Sequence, residues 1–279
     1  MTLTNMKTIK DLLSRHGFAF SRRLGQNFLV NPSVCPRMAE LAGIDGADVL
    51  EIGPGIGVLT AELAKRASRV LTVEIDSKLL PVLAETLADY PNVSVRHGDI
   101  LKLDMPALLS ENFGQSAKLQ VCANLPYYIT SPILMYLLES RLPFKSITVL
   151  VQKEAAQRIC APMGCRESGA ITAAVNYYAE PKLLFTVSPG SFYPPPKVES
   201  AALQLKIREA PAVTVPDEAA LFRVIRTAFA QRRKTVLNAL SAGLDMPKEA
   251  VAAALDRAEI PQNARAETLT LEDFARIEI

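Results

Sequence analysis

The run Asp48-Val49-Leu50-Glu51-Ile52 is short and mostly apolar, it ends in Gly53-Pro54-Gly55-Ile56-Gly57, and the residues that follow, 58–64, have helical spacing. Strand, glycine turn and helix in that order open a βα unit of a parallel sheet. Glycines at such a turn let the backbone approach a ligand closely, and the helix start beyond them presents unpaired N–H groups. A dinucleotide fingerprint would place a glycine at position 58, which is Val58; the spacing is G-x-G-x-G instead. Hydride chemistry therefore loses ground.

Two further strand ends carry acids. Arg69-Val70-Leu71-Thr72-Val73 runs into Glu74, twenty-one residues beyond Gly53, a separation that suits a carboxylate holding ribose hydroxyls. Glu74 thus indicates an adenosine-containing ligand without naming it. The competing reading is a solvated acid at a strand end. Val93-Ser94-Val95-Arg96-His97 leads into Gly98-Asp99-Ile100. Asp99, alone a plausible turn acid, becomes a candidate to accept from an adenine amino group once it follows two matching strand ends. With 147–151 as a later strand, the alternation of strands and helices predicts a mostly parallel sheet covered on both faces. Right-handed crossovers would bring the glycine turn, Glu74, Asp99 and Asn124 to one carboxyl edge. The runs 182–187 and 201–207 are expected to form a hairpin that completes the sheet.

At the end of the apolar run Leu119-Gln120-Val121-Cys122-Ala123 stands Asn124-Leu125-Pro126-Tyr127. An exocyclic amine on a base is a poor nucleophile because its lone pair is delocalised into the ring. The Asn124 carboxamide oxygen and the carbonyl of Leu125 or Pro126 can accept both N–H bonds of such an amine and direct its lone pair at an electrophile. Tyr127 offers a ring for the base to stack on. An ordinary proline turn after a strand is the bland alternative. Farther on, the prolines of Phe192-Tyr193-Pro194-Pro195-Pro196 fix three φ angles and favour a stiff extended loop. Phe192 is the candidate to sandwich a base against Tyr127, unless it packs into the core.

With 279 residues, 49% of them apolar, the chain can bury a large core. No apolar span reaches membrane length and the N-terminus lacks a signal-peptide pattern, so a cytoplasmic protein is expected. Four cysteines without C-x-x-C spacing and two histidines predict reduced thiols and no metal site. The net charge is only +2, but two stretches are strongly basic. Arg22 and Arg23 lie in an N-terminal segment, residues 1–26, of net +4. Arg223, Arg226, Arg232, Arg233 and Lys234 face no acid between Leu221 and Val236. Two such clusters flanking a presumed base-modifying site favour phosphate contact over a merely solvated face. After residue 210 the texture becomes helical. Asp217 can cap a helix, Pro247 falls in the first turn of another, and Thr270-Leu271-Glu272-Asp273 resembles a capping box. The expected domains are therefore 1–210, carrying the site, and a small helical domain, 211–279.

The ordered set of these motifs, together with Leu24-Gly25-Gln26-Asn27-Phe28-Leu29, resembles the bacterial small-subunit ribosomal RNA adenine dimethyltransferases from about Arg22 nearly to the C-terminus. The resemblance implies a class I S-adenosylmethionine-dependent methyltransferase, a Rossmann-like α/β fold whose last strand is antiparallel. The implied activity is transfer of two methyl groups to N6 of each of two adjacent adenosines near the 3′ end of 16S rRNA. Carried over by position, the donor contacts would be Asn27, Leu29, Gly53, Glu74, Asp99 and Asn124. The substrate is expected to be a partly assembled 30S particle and the protein a monomer. Three alternatives stay open: a DNA adenine-N6 methyltransferase, a large-subunit rRNA methyltransferase, and a ribosome-assembly factor in which methylation is secondary.

Overall fold

The computed structural model describes residues 3–116 and 118–279, with the side chain of Arg22 outside the described residues. In chain order the elements run α1 (Met6–Arg15), β1 (Phe28–Leu29), α2 (Val34–Ala42), β2 (Asp48–Ile52), α3 (Val58–Ala64), β3 (Arg69–Glu74) and α4 (Leu80–Thr86). Next come β4 (Val93–His97), α5 (Met105–Phe113), β5 (Leu119–Asn124), α6 (Thr130–Glu139), β6 (Phe144–Gln152), α7 (Lys153–Ile159) and α8 (Ala170–Tyr178). The chain continues with β7 (Ala179–Val187), β8 (Phe192–Tyr193) and β9 (Ser200–Ile207), then α9 (Glu218–Ala230), α10 (Val236–Leu244), α11 (Lys248–Arg257) and α12 (Leu271–Ala275).

Seven strands form one sheet in the order β4-β3-β2-β5-β6-β9-β7. The first five are parallel, and β9 returns antiparallel to β6 with Ser200 opposite Gln152. The hairpin of β7 and β9 thus completes the sheet as the two runs predicted. Every residue of β2 is buried, as expected of a strand with helices on both faces. β4 departs from the expected covering: as an edge strand it leaves four of its five residues exposed.

The order reverses between β2 and β5, and at such a switch point the loops leaving the carboxyl ends diverge and open a crevice. Register delivers the expected residues to it. Val73 pairs with Ile52, so Gly53 and Glu74 both follow directly, and Gly53 N donates to Val73 O at 2.9 Å. A second, two-stranded sheet was not legible in the sequence: β1 pairs antiparallel with β8, matching Leu29 to Phe192 and Phe28 to Tyr193.

The chain divides into two compact units, 1–156 with 182–207, and 157–181 with 208–279. The boundary expected at 210 therefore needs correction, because Gln157–Pro181 belongs to the second unit. Its helix α8 reads like any helix that covers a sheet, yet Tyr177 and Tyr178 place their rings 5.2 and 5.4 Å from Phe222 of α9. The later helices start as the sequence indicates. Asp217 caps α9 by accepting from Ala220 N, and Thr270 and Asp273 form a reciprocal capping box. Pro247 is the residue before α11 rather than part of its first turn.

Candidate active site

The cleft at the switch point is lined by the segment 24–29, the glycine turn, Glu51, Glu74, Ile75, Leu79 and the stretch 124–128. Gly53, Gly55 and Gly57 adopt φ of +71°, +61° and +88°, left-handed values that a side chain strains to reach. Gly55 is also sterically required. A Cβ there would stand 2.9 Å from the Phe28 ring, which is itself buried. At Gly53 and Gly55 the turn therefore brings bare backbone to the cleft wall, with Pro54 and Ile56 lining it between and beyond them.

Glu74 is 4% exposed. Its carboxylate accepts from Asp76 N at 2.8 Å and from Gly55 N at 3.3 Å, so the acid and the glycine turn brace each other. Burial pushes its pKa up to about 7. Below it Glu51, fully enclosed, accepts from Thr60 Oγ1 at 2.6 Å, and burial raises its pKa to about 8. Glu51 escaped the sequence reading, although a charged residue inside an apolar strand just before a glycine turn was a usable signal. Gln26 ties the N-terminal segment to the same edge by donating to Asp76 Oδ2 at 2.7 Å.

Asn124 ends β5 facing this cleft. Its Nδ2 donates to the Asn27 carbonyl at 3.4 Å, and no protein donor among the described residues engages Oδ1. The Pro126 carbonyl is already engaged by Ile129 N and Thr130 Oγ1, both at 3.2 Å. Among the described residues the Leu125 carbonyl has no such partner. Tyr127 lines the cleft with its phenol bonded to Ser200 Oγ at 2.6 Å.

Of the residues predicted from sequence, Asn27, Leu29, Gly53, Glu74, Asn124, Leu125, Pro126 and Tyr127 all border this cleft. Two do not. Phe192 is 3% exposed and sits in the core cluster, because pairing with Leu29 turns its side chain inward; the expected exposed wall is absent and the core-packing alternative holds. Asp99 stands at the expected strand end beside Glu74, where Gly98 N donates to Glu74 O, but its carboxylate accepts from Leu101 N at 3.1 Å and lies 3.7 Å from Lys102 Nζ. It is outside the cleft lining. Ile75, which the sequence reading passed over, lines the cleft while 46% exposed. Arg23 and, in the second unit, Arg223, Arg226, Arg232, Arg233 and Lys234 are exposed. Of Arg22 only the backbone is described. Among the described residues no cluster of three or more acids, histidines or cysteines is arranged to hold a metal, and no helix is long and apolar enough to cross a membrane.

Comparison with known proteins decides the family: residues 17–279 match the ribosomal RNA adenine dimethylases. The chain belongs to this family. Relatives named ribosomal RNA small subunit methyltransferase A include one from Shouchella clausii, 49% identical over 95% of this chain and 91% of its own. Another, from Geobacillus thermodenitrificans, is 46% identical over 96% and 93%. Among solved structures, a dimethyladenosine transferase from Plasmodium falciparum superposes with a TM-score of 0.71 at 27% identity, covering 90% of this chain and 95% of that one. The 23S rRNA methyltransferase ErmE gives 0.65 at 29% identity, over 90% and 98%. The dimethylase family fold is that of a class I S-adenosylmethionine-dependent methyltransferase, as the strand order requires. The cleft's chemistry is compatible with that donor: two glycines that allow close backbone approach, a buried carboxylate at Glu74, and an exposed apolar Ile75 in the lining.

Proposed function

We propose that this dimethylase transfers methyl groups from S-adenosylmethionine to N6 of two adjacent adenosines near the 3′ end of small-subunit rRNA, acting as a monomer on a partly assembled 30S particle. The observation that carries this reading is that Asn124 lines the same cleft as Gly53 and Glu74.

Bound S-adenosylmethionine supplies an electrophilic methyl on a sulfonium. The protein's residues supply position. Glu74 would hold the ribose hydroxyls with lone pairs that Gly55 and Asp76 do not use, and Ile75 would offer an apolar surface to the adenine. The target base leaves its stack, which costs a few kcal/mol and least where the RNA is already looped. Tyr127 receives it. Asn124 Oδ1 and the Leu125 carbonyl accept from N6, draw the amine out of conjugation and aim its lone pair. No base is needed beforehand, since the N6 proton becomes acidic only as the new bond forms and leaves to water.

The exposed arginines 23, 223, 226, 232 and 233 with Lys234 are proposed to neutralise RNA phosphates. The test uses labelled donor with small subunits from an unmethylated strain, followed by mapping of the modified nucleotides. Label confined to one adjacent adenosine pair supports the reading. Label on large-subunit RNA or on DNA instead would select the corresponding alternative.

A further inference from the structure

Beside the donor cleft lies a second depression lined by Arg23, Gly25, Asn27, Tyr127, Tyr128 and Gln152. Four of these residues, Gly25, Asn27, Tyr127 and Tyr128, also border the donor cleft, so the two hollows share a wall. The shared wall contains the residue proposed to receive the target base. A strand feeding one base past Tyr127 must lay its neighbour close to that wall, because consecutive nucleotides are covalently tethered.

The chemistry of the depression suits a nucleotide. Tyr128 is 56% exposed, so its ring is open to a stacking partner from solvent. Its ring is propped against Gly25, where a Cβ would stand 3.4 Å from Tyr128 Cδ1, which leaves much of the ring to solvent. Arg23 supplies an exposed guanidinium for a phosphate. Gln152 closes β6 half-buried, and its carboxamide has no hydrogen-bond partner among the described residues. Its backbone is fixed by the antiparallel pairing with Ser200, the residue that also anchors the Tyr127 phenol. A carboxamide with both ends open matches the amino and ring-nitrogen edge of adenine, which it can engage through two hydrogen bonds at once.

Building on the function proposed above, we propose that this depression is the subsite for the nucleotide adjacent to the target, with Tyr128 stacking its base, Arg23 holding its phosphate and Gln152 reading the amino edge of an unmethylated adenine. The pair of adenosines is then recognised as a pair. A dimethylated neighbour has no N6–H left to donate, so the subsite holds an unmodified neighbour in preference to a modified one.

The test compares first methyl transfer to unmethylated small-subunit particles carrying either the natural adenosine pair or a uridine in the neighbouring position. The wild-type protein should lose about tenfold in kcat/KM on the uridine particle. Gln152→Ala should fall about tenfold on the natural particle and show no further loss on the uridine one. Its affinity for S-adenosylhomocysteine, by titration calorimetry, should match the wild type, which also certifies the fold. Tyr128→Ala should weaken transfer and Tyr128→Phe restore it, because stacking needs the ring alone. A wild-type enzyme indifferent to the neighbour, or a Gln152→Ala variant that still discriminates, overturns the subsite alone. Wild-type protein that methylates neither particle overturns the function on which it rests.

Discussion

Tyr127 Oη lies 2.6 Å from Ser200 Oγ, and Ser200 is fully buried at the start of β9. One bond therefore joins the loop after β5 to a strand about seventy residues later. Burial raises the Tyr127 pKa, so the phenol stays neutral and the bond does not titrate near pH 7. The ring proposed to receive the base is thus held at its far end.

Ser200→Ala should loosen that ring without touching the donor. One neutral hydrogen bond is worth about 0.5 to 1.5 kcal/mol, so single-turnover methyl transfer is expected to fall by roughly two- to tenfold while the dissociation constant for S-adenosylhomocysteine is unchanged. An equal loss in both would instead indicate general disruption of the cleft.

Asn124→Ala removes the carboxamide proposed to accept from the amine. Loss of one preorganised polar partner in an active site typically costs about a hundred- to a thousandfold in rate, and that is the expected fall in kcat. RNA affinity, read by filter binding, should stay within a few fold because the phosphate contacts are elsewhere.

Glu74 makes donor binding and stability depend on pH in opposite directions. Its pKa rises from 4.5 to about 7, so across that window the folded protein holds a proton that the unfolded chain releases. Stability of the donor-free protein should therefore fall as pH rises through that window, with Glu51 extending the decline to about 8. If the ionised form is what accepts the ribose hydroxyls, donor affinity should climb about tenfold between about pH 6 and about pH 8. Calorimetric titrations across that range check the sign, and Glu74→Gln should flatten the profile.

Gly55→Ala combines a φ of +61° with a Cβ that would stand 2.9 Å from the Phe28 ring. The left-handed backbone alone costs about 1 to 2 kcal/mol, and the displaced ring adds to it. Thermal unfolding should show the loss, and donor should raise the variant's melting temperature less than it raises that of the wild type.

What was legible in the sequence, and what was not, follows from the range of the signals involved. Strand ends announce themselves locally: an apolar run followed by glycine, an acid or Asn-x-Pro is visible within ten residues, so Gly53, Glu74 and Asn124 could be placed on one edge before any coordinates. Phe192 could not be placed this way. Its inward turn comes from pairing with Leu29, a contact across more than 160 residues that no local pattern carries. The Pro126 carbonyl was likewise lost to a turn bond from Ile129, and α8 joined the second unit through rings on a helix that had yet to appear in the chain. Glu51 and Ile75 were missed for a simpler reason: each sits beside a stronger motif, Glu51 inside the strand that leads to the glycine turn and Ile75 next to the acid at Glu74.

The most direct test of the shared cleft is titration calorimetry with a bisubstrate analogue in which adenosine is tethered through N6 to the methyl position of the donor. Binding to the wild type should be weakened at least tenfold by Glu74→Ala and, independently, by Asn124→Ala, because one molecule then touches both residues. An analogue that binds Asn124→Ala as tightly as the wild type would contradict the account, since the carboxamide would not be facing the amine that the cleft is proposed to methylate.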